Sequence, residues 1–143
     1  MRAVVRNVFI VIPAFVALVL PWPFAPVLEA RAQGVGDACG IEQPASPKTR
    51  QKASIRFTND TMFAYRIYWA NFDGVLAEYA IAQPDESNGY DTYAGHEWYV
   101  EIYTPDGSVC LGPIAAPAGR KCDMHIVDDG TGEFGLDGRG CLY

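Results

Sequence analysis

One short segment of the sequence places a hydroxyl, an imidazole and an indole close together. Thr92, His96 and Trp98 lie within the seven-residue run TYAGHEW. His96 and Trp98 are two positions apart, so on an extended strand both side chains project from the same face. A hydroxyl and an imidazole beside aromatic rings suit a small pocket that is partly apolar and partly polar. The segment therefore predicts a binding site.

The same segment lacks the partners that catalysis requires. No recognisable motif ties a serine or cysteine nucleophile to His96, and strand alternation should point Glu97 and Glu101 away from it. The sequence contains no Gly-x-Ser-x-Gly motif, phosphate-binding loop or dinucleotide fingerprint. We expect a protein that is not an enzyme and needs no cofactor. The weaker alternative is a hydrolase that acts on modified peptides.

The first 32 residues have the layout of a secretory signal peptide. Arg2 and Arg6 precede an apolar run over residues 8–20, and Ala30-Arg31-Ala32 offers small residues at the cleavage positions. A membrane anchor is the alternative, but the apolar run is shorter than the ~20 residues that a span requires. We therefore expect cleavage before Gln33 and a secreted or periplasmic protein that no longer contacts the membrane.

The chain beyond residue 32 is strongly acidic. Of the 11 basic and 17 acidic residues in the sequence, Arg2, Arg6, Arg31 and Glu29 precede the expected cleavage position, which leaves eight basic against sixteen acidic residues. Such a surface repels phosphate backbones, so nucleic acid is not an expected partner. The remaining length, about 111 residues, suits one small domain.

All four cysteines follow the expected cleavage position. An even number of cysteines in a small exported domain predicts two disulfides, and three pairings are possible. We favour Cys110 with Cys122, which would join neighbouring strands, and Cys39 with Cys141, which would tie the two ends of the domain together. A zinc site is the alternative, but the sequence has no Cys-x-x-Cys pair.

Short segments with alternating polar and apolar residues follow one another from residue 53 onward, after a lead-in segment over residues 33–52. Asp73-Gly74 and Asp106-Gly107 supply turns of the kind that close hairpins. The pattern predicts an all-β domain over residues 53–143, a small antiparallel β-sandwich stapled by disulfides. Strands are expected at residues 54–58, 63–69, 75–81, 90–93, 96–103, 108–114 and 122–127, with a loop at 84–89 and a tail rich in glycine and aspartate at 128–140.

Other polar residues give weaker indications of chemistry. Asp123 and His125 share a strand face, but two ligands do not make a metal site, and we expect an ordinary strand histidine. The tail holds four acidic residues that do not follow the twelve-residue pattern of a calcium loop, so we expect a solvated turn and no metal. These residues are Asp128, Asp129, Glu133 and Asp137.

Four segments share residue types and spacing with one known family. They are Ile55-Arg56-Phe57-Thr58-Asn59, Trp69 with the hairpin Asn71-Phe72-Asp73-Gly74, Tyr79 at the position of a pocket tyrosine, and Thr92-Tyr93-Ala94-Gly95-His96-Glu97-Trp98. The last matches a Ser/Thr-Tyr-x-Gly-His-x-Trp signature. Together they resemble the β-domain of the von Hippel–Lindau tumour suppressor family, over residues 53–117.

In that family the β-domain is a β-sandwich that recognises 4-hydroxyproline in a substrate peptide. The resemblance implies that Trp69, Tyr79 and Trp98 wall the pyrrolidine ring. It also implies that Thr92 and His96 hydrogen-bond the ring hydroxyl. A hydroxyl donates and accepts at once, so a threonine hydroxyl and a neutral imidazole can satisfy it together. A ring without the hydroxyl would leave both groups unpaired, at about 1–3 kcal/mol each.

The resemblance assigns Tyr93 to the rim of the pocket, in contact with the peptide backbone. Two positions depart from the best-known members of the family, since Thr92 replaces a serine and Asp91 replaces a histidine. The helical α-domain that recruits the ubiquitin-ligase partner has no counterpart in the sequence, so we expect no such partner.

These observations lead to two expectations for function. The first is a secreted peptide-binding module that recognises 4-hydroxyproline, or a similar hydroxylated ring, in a protein ligand. The alternative is a structural or protein-interaction β-sandwich in which the same aromatic residues belong to the core and no hydroxyproline pocket is retained.

Overall fold

The computed structural model describes residues 38–40 and 42–143, so the expected signal peptide lies outside the described residues. Within them the chain is all-β and has no helix. This part of the chain accordingly contains no helix long and apolar enough to cross a membrane. The strands are β1 Lys52–Asp60, β2 Tyr65–Ala70, β3 Leu76–Ala82, β4 Ser87–Tyr93, β5 Trp98–Thr104, β6 Gly107–Ile114, β7 Lys121–Asp128 and β8 Phe134–Arg139.

The strands form two four-stranded sheets that face each other. The strand order is β4-β1-β7-β8 in the first sheet and β3-β2-β5-β6 in the second. Neighbouring strands are antiparallel except for β1 and β7, which run parallel. The predicted β-sandwich is confirmed, and β4 and β3 each lie at the edge of a sheet.

The core lies between the sheets and follows from strand alternation. Ile55 and Phe57 on β1 are buried, as are Trp98, Val100 and Ile102 on β5. Each of these positions is two residues from the next, so all of them point to the inner face of their strand. Full burial of one large apolar side chain contributes about 1.5–3 kcal/mol. The core therefore holds the first residue of β5 firmly in place.

The disulfides join Cys39 to Cys110 and Cys122 to Cys141. The favoured pairing, Cys110 with Cys122 and Cys39 with Cys141, is wrong. Cys110 on β6 and Cys122 on β7 belong to different sheets, whereas Cys141 directly follows β8, the neighbour of β7. Cys39 packs instead on the outer face of the second sheet, beside Tyr99. Two disulfides are compatible with an extracellular or periplasmic location.

Two strands differ from the prediction. The expected loop at 84–89 is shorter, because β4 begins at Ser87 and pairs with β1 as far as Tyr93. The glycine-rich tail contains β8, which pairs with β7. Phe134 and Leu136 pack against the core. Their spacing of two residues is the feature of the sequence that indicates a strand here.

The lead-in segment is hydrogen-bonded to the second sheet. The Ser46 amide donates to the Asn71 carbonyl at 3.1 Å. The Ser46 hydroxyl donates to the Ala70 carbonyl and accepts from the Glu97 amide at 2.9 Å. Ser46 thereby joins the end of β2 to the start of β5 and brings Pro47 against the turn at Gly95.

Candidate functional site

The six residues predicted to form the site lie at or near one end of the sandwich, where β2 and β4 end and β5 begins. We call this the site end. Strand pairing brings the positions together, since Trp69 on β2 lies directly opposite Trp98 on β5. The six residues are Trp69, Tyr79, Thr92, Tyr93, His96 and Trp98.

His96 lies in a turn and not on a strand. β4 ends at Tyr93 and β5 begins at Trp98, and the His96 amide donates to the Tyr93 carbonyl at 3.1 Å. Gly95 has a φ of 75°, which residues with a side chain rarely adopt. The predicted strand over residues 96–103 therefore begins two residues later than expected, at Trp98, because the turn that ends β4 extends to His96.

The Thr92 hydroxyl and the His96 imidazole nevertheless meet. Thr92 Oγ1 lies 3.4 Å from His96 Nδ1, and each residue is 6% exposed. This distance is at the limit of a hydrogen bond, so the contact between the two groups is weak. His96 Nε2 has no hydrogen-bond partner among the described residues.

Burial sets the charge of the imidazole. Desolvation lowers the pKa of His96 from its usual value of 6.5, and the nearby Pro47 backbone carbonyl partly opposes this shift. The ring is therefore neutral at physiological pH, and a neutral imidazole carries one donor nitrogen and one acceptor nitrogen.

Six rings form a connected group that we call the aromatic cluster. Successive ring centroids are 4.9–6.4 Å apart, the range of favourable tilted and stacked pairs. Trp69 lies at its centre, 5.4 Å from His96 and 5.3 Å from Phe72. The members are Trp69, Phe72, Tyr79, Tyr90, His96 and Trp98.

The sequence analysis did not place Tyr90 or Phe72 in the site. Tyr90 stacks on Trp98 with centroids 5.2 Å apart. It lies two residues before Thr92 on β4, so strand alternation could have identified it. Phe72 contacts His96 at 5.6 Å and belongs to the hairpin that carries the resemblance.

Buried polar atoms without partners are concentrated in the aromatic cluster. Buried polar groups are nearly always hydrogen-bonded, and an unpaired one costs about 1–3 kcal/mol. Four such side-chain atoms lie here, of seven in the part of the chain that the structure describes. They are Trp69 Nε1, Tyr90 Oη, His96 Nε2 and Trp98 Nε1.

Two tyrosines form the exposed side of the cluster. Tyr79 is 49% exposed and Tyr93 is 42% exposed, whereas Trp98 is buried. The Tyr93 ring lies 5.3 Å from the His96 ring, which fits the predicted position at the rim. Of two cavities of about 290 Å³, one lies against Phe63 away from the cluster, and the other is lined by Gly89 and by Tyr90 of the cluster.

The carboxylate of Glu101 lies on the other face of β5 from the aromatic cluster. Glu101 is fully buried on the face of β5 opposite the core. Its oxygens accept hydrogen bonds from the Ala38 amide at 2.8 Å and from the Tyr68 and Ser108 hydroxyls at 3.0 Å each. No sequence pattern indicates this network, because its donors come from distant segments.

His125 lies on the first sheet, away from the aromatic cluster. Its Nδ1 is 2.6 Å from a carboxylate oxygen of Asp60, and both side chains are partly exposed. Within residues 38–40 and 42–143, no group of three or more potential ligands could hold a metal ion.

No protein-family model matches the chain, and no curated protein matches it. The function must therefore be inferred from the residues and their contacts. The contacts that bear on it most are those of Thr92 and His96 with the aromatic cluster.

Proposed function

We propose that the domain is a secreted peptide-binding module that recognises 4-hydroxyproline, or a closely similar hydroxylated ring, in a protein ligand. The observation that carries the proposal is the Thr92–His96 pair, a hydroxyl 3.4 Å from an imidazole beside the Trp69 ring. The proposal extends the resemblance to the von Hippel–Lindau β-domain. The signal-peptide layout and the two disulfides support export.

The chemistry of recognition follows from the two polar groups. A ring hydroxyl donates to the acceptor nitrogen of neutral His96 and accepts from the Thr92 hydroxyl. Both groups then exchange one long contact for two normal hydrogen bonds. Unmodified proline offers neither bond, and two unpaired groups at about 1–3 kcal/mol each give a selectivity of roughly tens-fold to thousands-fold.

The aromatic cluster supplies the apolar part of the site. Tyr79 is half exposed, and its ring lies 4.9 Å from the buried Trp98 ring and 6.4 Å from the Trp69 ring. A pyrrolidine ring packs against the exposed side of Tyr79 and the neighbouring indole rings, which serve as its walls. Trp69 Nε1 and Trp98 Nε1 are buried without a hydrogen-bond partner among the described residues, so a ligand carbonyl that enters the cluster would satisfy a donor that is otherwise unpaired.

The edge of the first sheet offers a place for the rest of the peptide. β4 pairs with β1 on one side and has no strand on the other. Edge strands present unpaired N–H and C=O groups to which an extended peptide can add. Tyr93 ends β4 beside His96, so a peptide paired along this edge passes the ring site.

The burial of the same residues supports a second candidate function, that of a structural or protein-interaction scaffold. Thr92 and His96 are nearly covered and contact each other, and Trp98 stacks on Tyr90 in the core. In a scaffold the aromatic cluster only packs. The two candidates differ in one measurable property, which is selectivity for a hydroxylated ring.

The test is calorimetric titration of the oxidised domain, residues 33–143, with two peptides that differ only in proline or 4-hydroxyproline. We expect the hydroxylated peptide to bind at least tens-fold more tightly. His96→Ala should abolish this preference, and His125→Ala, which removes the other histidine, should leave it intact. Equal affinity for the two peptides would refute the proposed function and leave the scaffold.

A further inference from the structure

Charged side chains are divided unequally between the two ends of the sandwich. The loops at the end opposite the site carry acidic side chains and neither lysine nor arginine. The acidic residues of these loops and their borders are Asp60, Asp85, Glu86, Asp106, Asp128, Asp129 and Glu133. At the site end, four basic residues approach the aromatic cluster, and we call them the basic rim. They are Lys48, Arg50, Lys52 and Arg120.

Contacts place the basic rim next to the ring site. Lys48 Nζ lies 5.9 Å from the centroid of Phe72, whose ring is 5.6 Å from that of His96. Lys52 is directly opposite Tyr93 in the β1–β4 ladder, so the two side chains share one face of the sheet. The rim therefore begins within about 12 Å of His96, the span of three to four extended residues.

The remaining rim residues are fixed by backbone hydrogen bonds to the same end. Arg50 precedes Gln51, whose carbonyl accepts from the Ala94 amide at 2.8 Å. Arg120 follows Gly119, whose amide donates to the Lys52 carbonyl at 3.0 Å. Both residues are exposed.

The rim residues lack carboxylate partners within the described part of the chain. Arg56, Arg66 and Lys121 each lie within 4.0 Å of a carboxylate, but no member of the rim does. Acidic residues near the rim include Asp73 beside Phe72, Asp91 two residues before Tyr93, and Asp123, which lies three residues after Arg120 and contacts Arg56 and Lys121. Four unpaired cations thus border the site on a domain whose sixteen acidic residues outnumber its eight basic ones.

We propose that the basic rim selects ligand peptides that carry an aspartate or glutamate about two to four residues from the hydroxylated ring. The inference rests on the proposed function and specifies its ligand, an acidic extended segment of a protein. Charge complementarity favours this occupant, because the rim attracts a carboxylate locally. The acidic remainder of the domain repels large polyanions and anionic membranes.

The lead-in segment is then part of the recognition surface. Lys48 and Arg50 both belong to it, and Ser46 fixes it to β2 and β5. The resemblance to the von Hippel–Lindau family begins only at residue 53. The flank specificity therefore comes from a segment outside the region of resemblance.

The experiment uses four peptides, with proline or hydroxyproline at the ring position and glutamate or glutamine three residues away. The glutamate peptides should bind about two- to fivefold more tightly for each charge contacted, as expected of exposed ion pairs. This preference should fall in Lys48→Gln and should nearly vanish when Lys48, Arg50 and Lys52 are all replaced by glutamine. It should also vanish in 1 M salt, where the Debye length is about 3 Å.

A matched control separates rim contacts from overall charge. Met62→Glu changes the net charge by the same amount as Lys48→Gln, at a side chain that is 76% exposed in a loop of the opposite end. It should leave the glutamate preference unchanged.

The outcomes distinguish the two proposals. A hydroxyproline preference with equal affinity for glutamate and glutamine would overturn the flank inference and leave the proposed function. A glutamate preference with no hydroxyproline preference would overturn the proposed function and leave the selection of acidic peptides by the basic rim. Absence of binding by all four peptides would overturn both.

Discussion

Replacing Thr92 by valine isolates the hydroxyl that distinguishes a ring-binding site from core packing. Valine keeps the branched shape and the strand preference of threonine on β4. The hydroxyl has one side-chain partner, His96 Nδ1, at the long distance of 3.4 Å. Its loss should therefore change the free energy of unfolding by less than about 1 kcal/mol.

Binding should respond much more strongly than stability. The variant leaves the ligand hydroxyl with one partner instead of two, which costs about 1–3 kcal/mol and lowers affinity roughly 5- to 150-fold. Affinity for the matched proline peptide should stay within about twofold, because that ring makes no bond to Thr92. The preference for hydroxyproline over proline should therefore fall by nearly the same factor as the affinity for the hydroxyproline peptide.

The assay is calorimetric titration of both peptides, with urea unfolding of each variant. Thr58→Val is the matched control, since the Thr58 hydroxyl bonds to Ser87 at 2.9 Å on the strand pair that carries Thr92. It should leave both affinities unchanged. If Thr92→Val retains the full hydroxyproline preference, or unfolds the domain, the assignment of Thr92 to ligand recognition is wrong.

Three further predictions concern protonation and stability. Burial lowers the pKa of His96, so below about pH 6.5 the unfolded state binds more protons than the folded state. The free energy of unfolding should therefore fall as the pH drops through this range, and thermal unfolding at several pH values measures that fall. The fall should be smaller in the His96→Asn variant, which lacks the imidazole. Glu101→Gln should cost about 3 kcal/mol in urea unfolding, since it removes a buried charge that holds several donors, whereas exposed Glu78→Gln should cost under about 1 kcal/mol. Replacing both Cys39 and Cys110 by serine should lower the free energy of unfolding by about 4 kcal/mol, and replacing Cys122 and Cys141 should lower it by about 3 kcal/mol. The difference arises because the first disulfide closes a loop of 71 residues and the second closes one of 19. Equal losses of stability would contradict the loop-entropy explanation.

Strand alternation predicted most of the fold. β5 is the clearest case, since Trp98, Val100 and Ile102 recur at spacing two and all lie in the core. β8 was missed because glycines interrupt its pattern, and only Phe134 and Leu136 indicate a buried face.

The disulfide pairing could not be deduced in the same way. The pairing depends on which strands become neighbours. The parallel contact of β1 with β7 places β7 and Cys122 in the first sheet, whereas β6 and Cys110 belong to the second. The burial of Glu101 likewise requires donors from β2, β6 and the lead-in segment, which meet only after folding.

The candidate site was predicted in composition and only partly in geometry. Thr92, His96 and Trp69, which the resemblance groups in one site, lie close together. The predicted strand began at His96, but the turn that contains Gly95 extends to His96 and β5 begins only at Trp98. Pro47 and Lys48 carry no motif, and hydrogen bonds of the lead-in segment, those of Ser46 and of the Gln51 carbonyl among them, bring them to the site.

The most direct test of the central claim is an NMR titration of the oxidised domain, following the indole N–H resonances of Trp69 and Trp98. These are the only two tryptophans after residue 32, so both signals report on the aromatic cluster. We expect saturable shifts of both with a hydroxyproline peptide and none with the matched proline peptide. Unchanged indole signals with both peptides would contradict a ring-binding site and assign the aromatic cluster to the core.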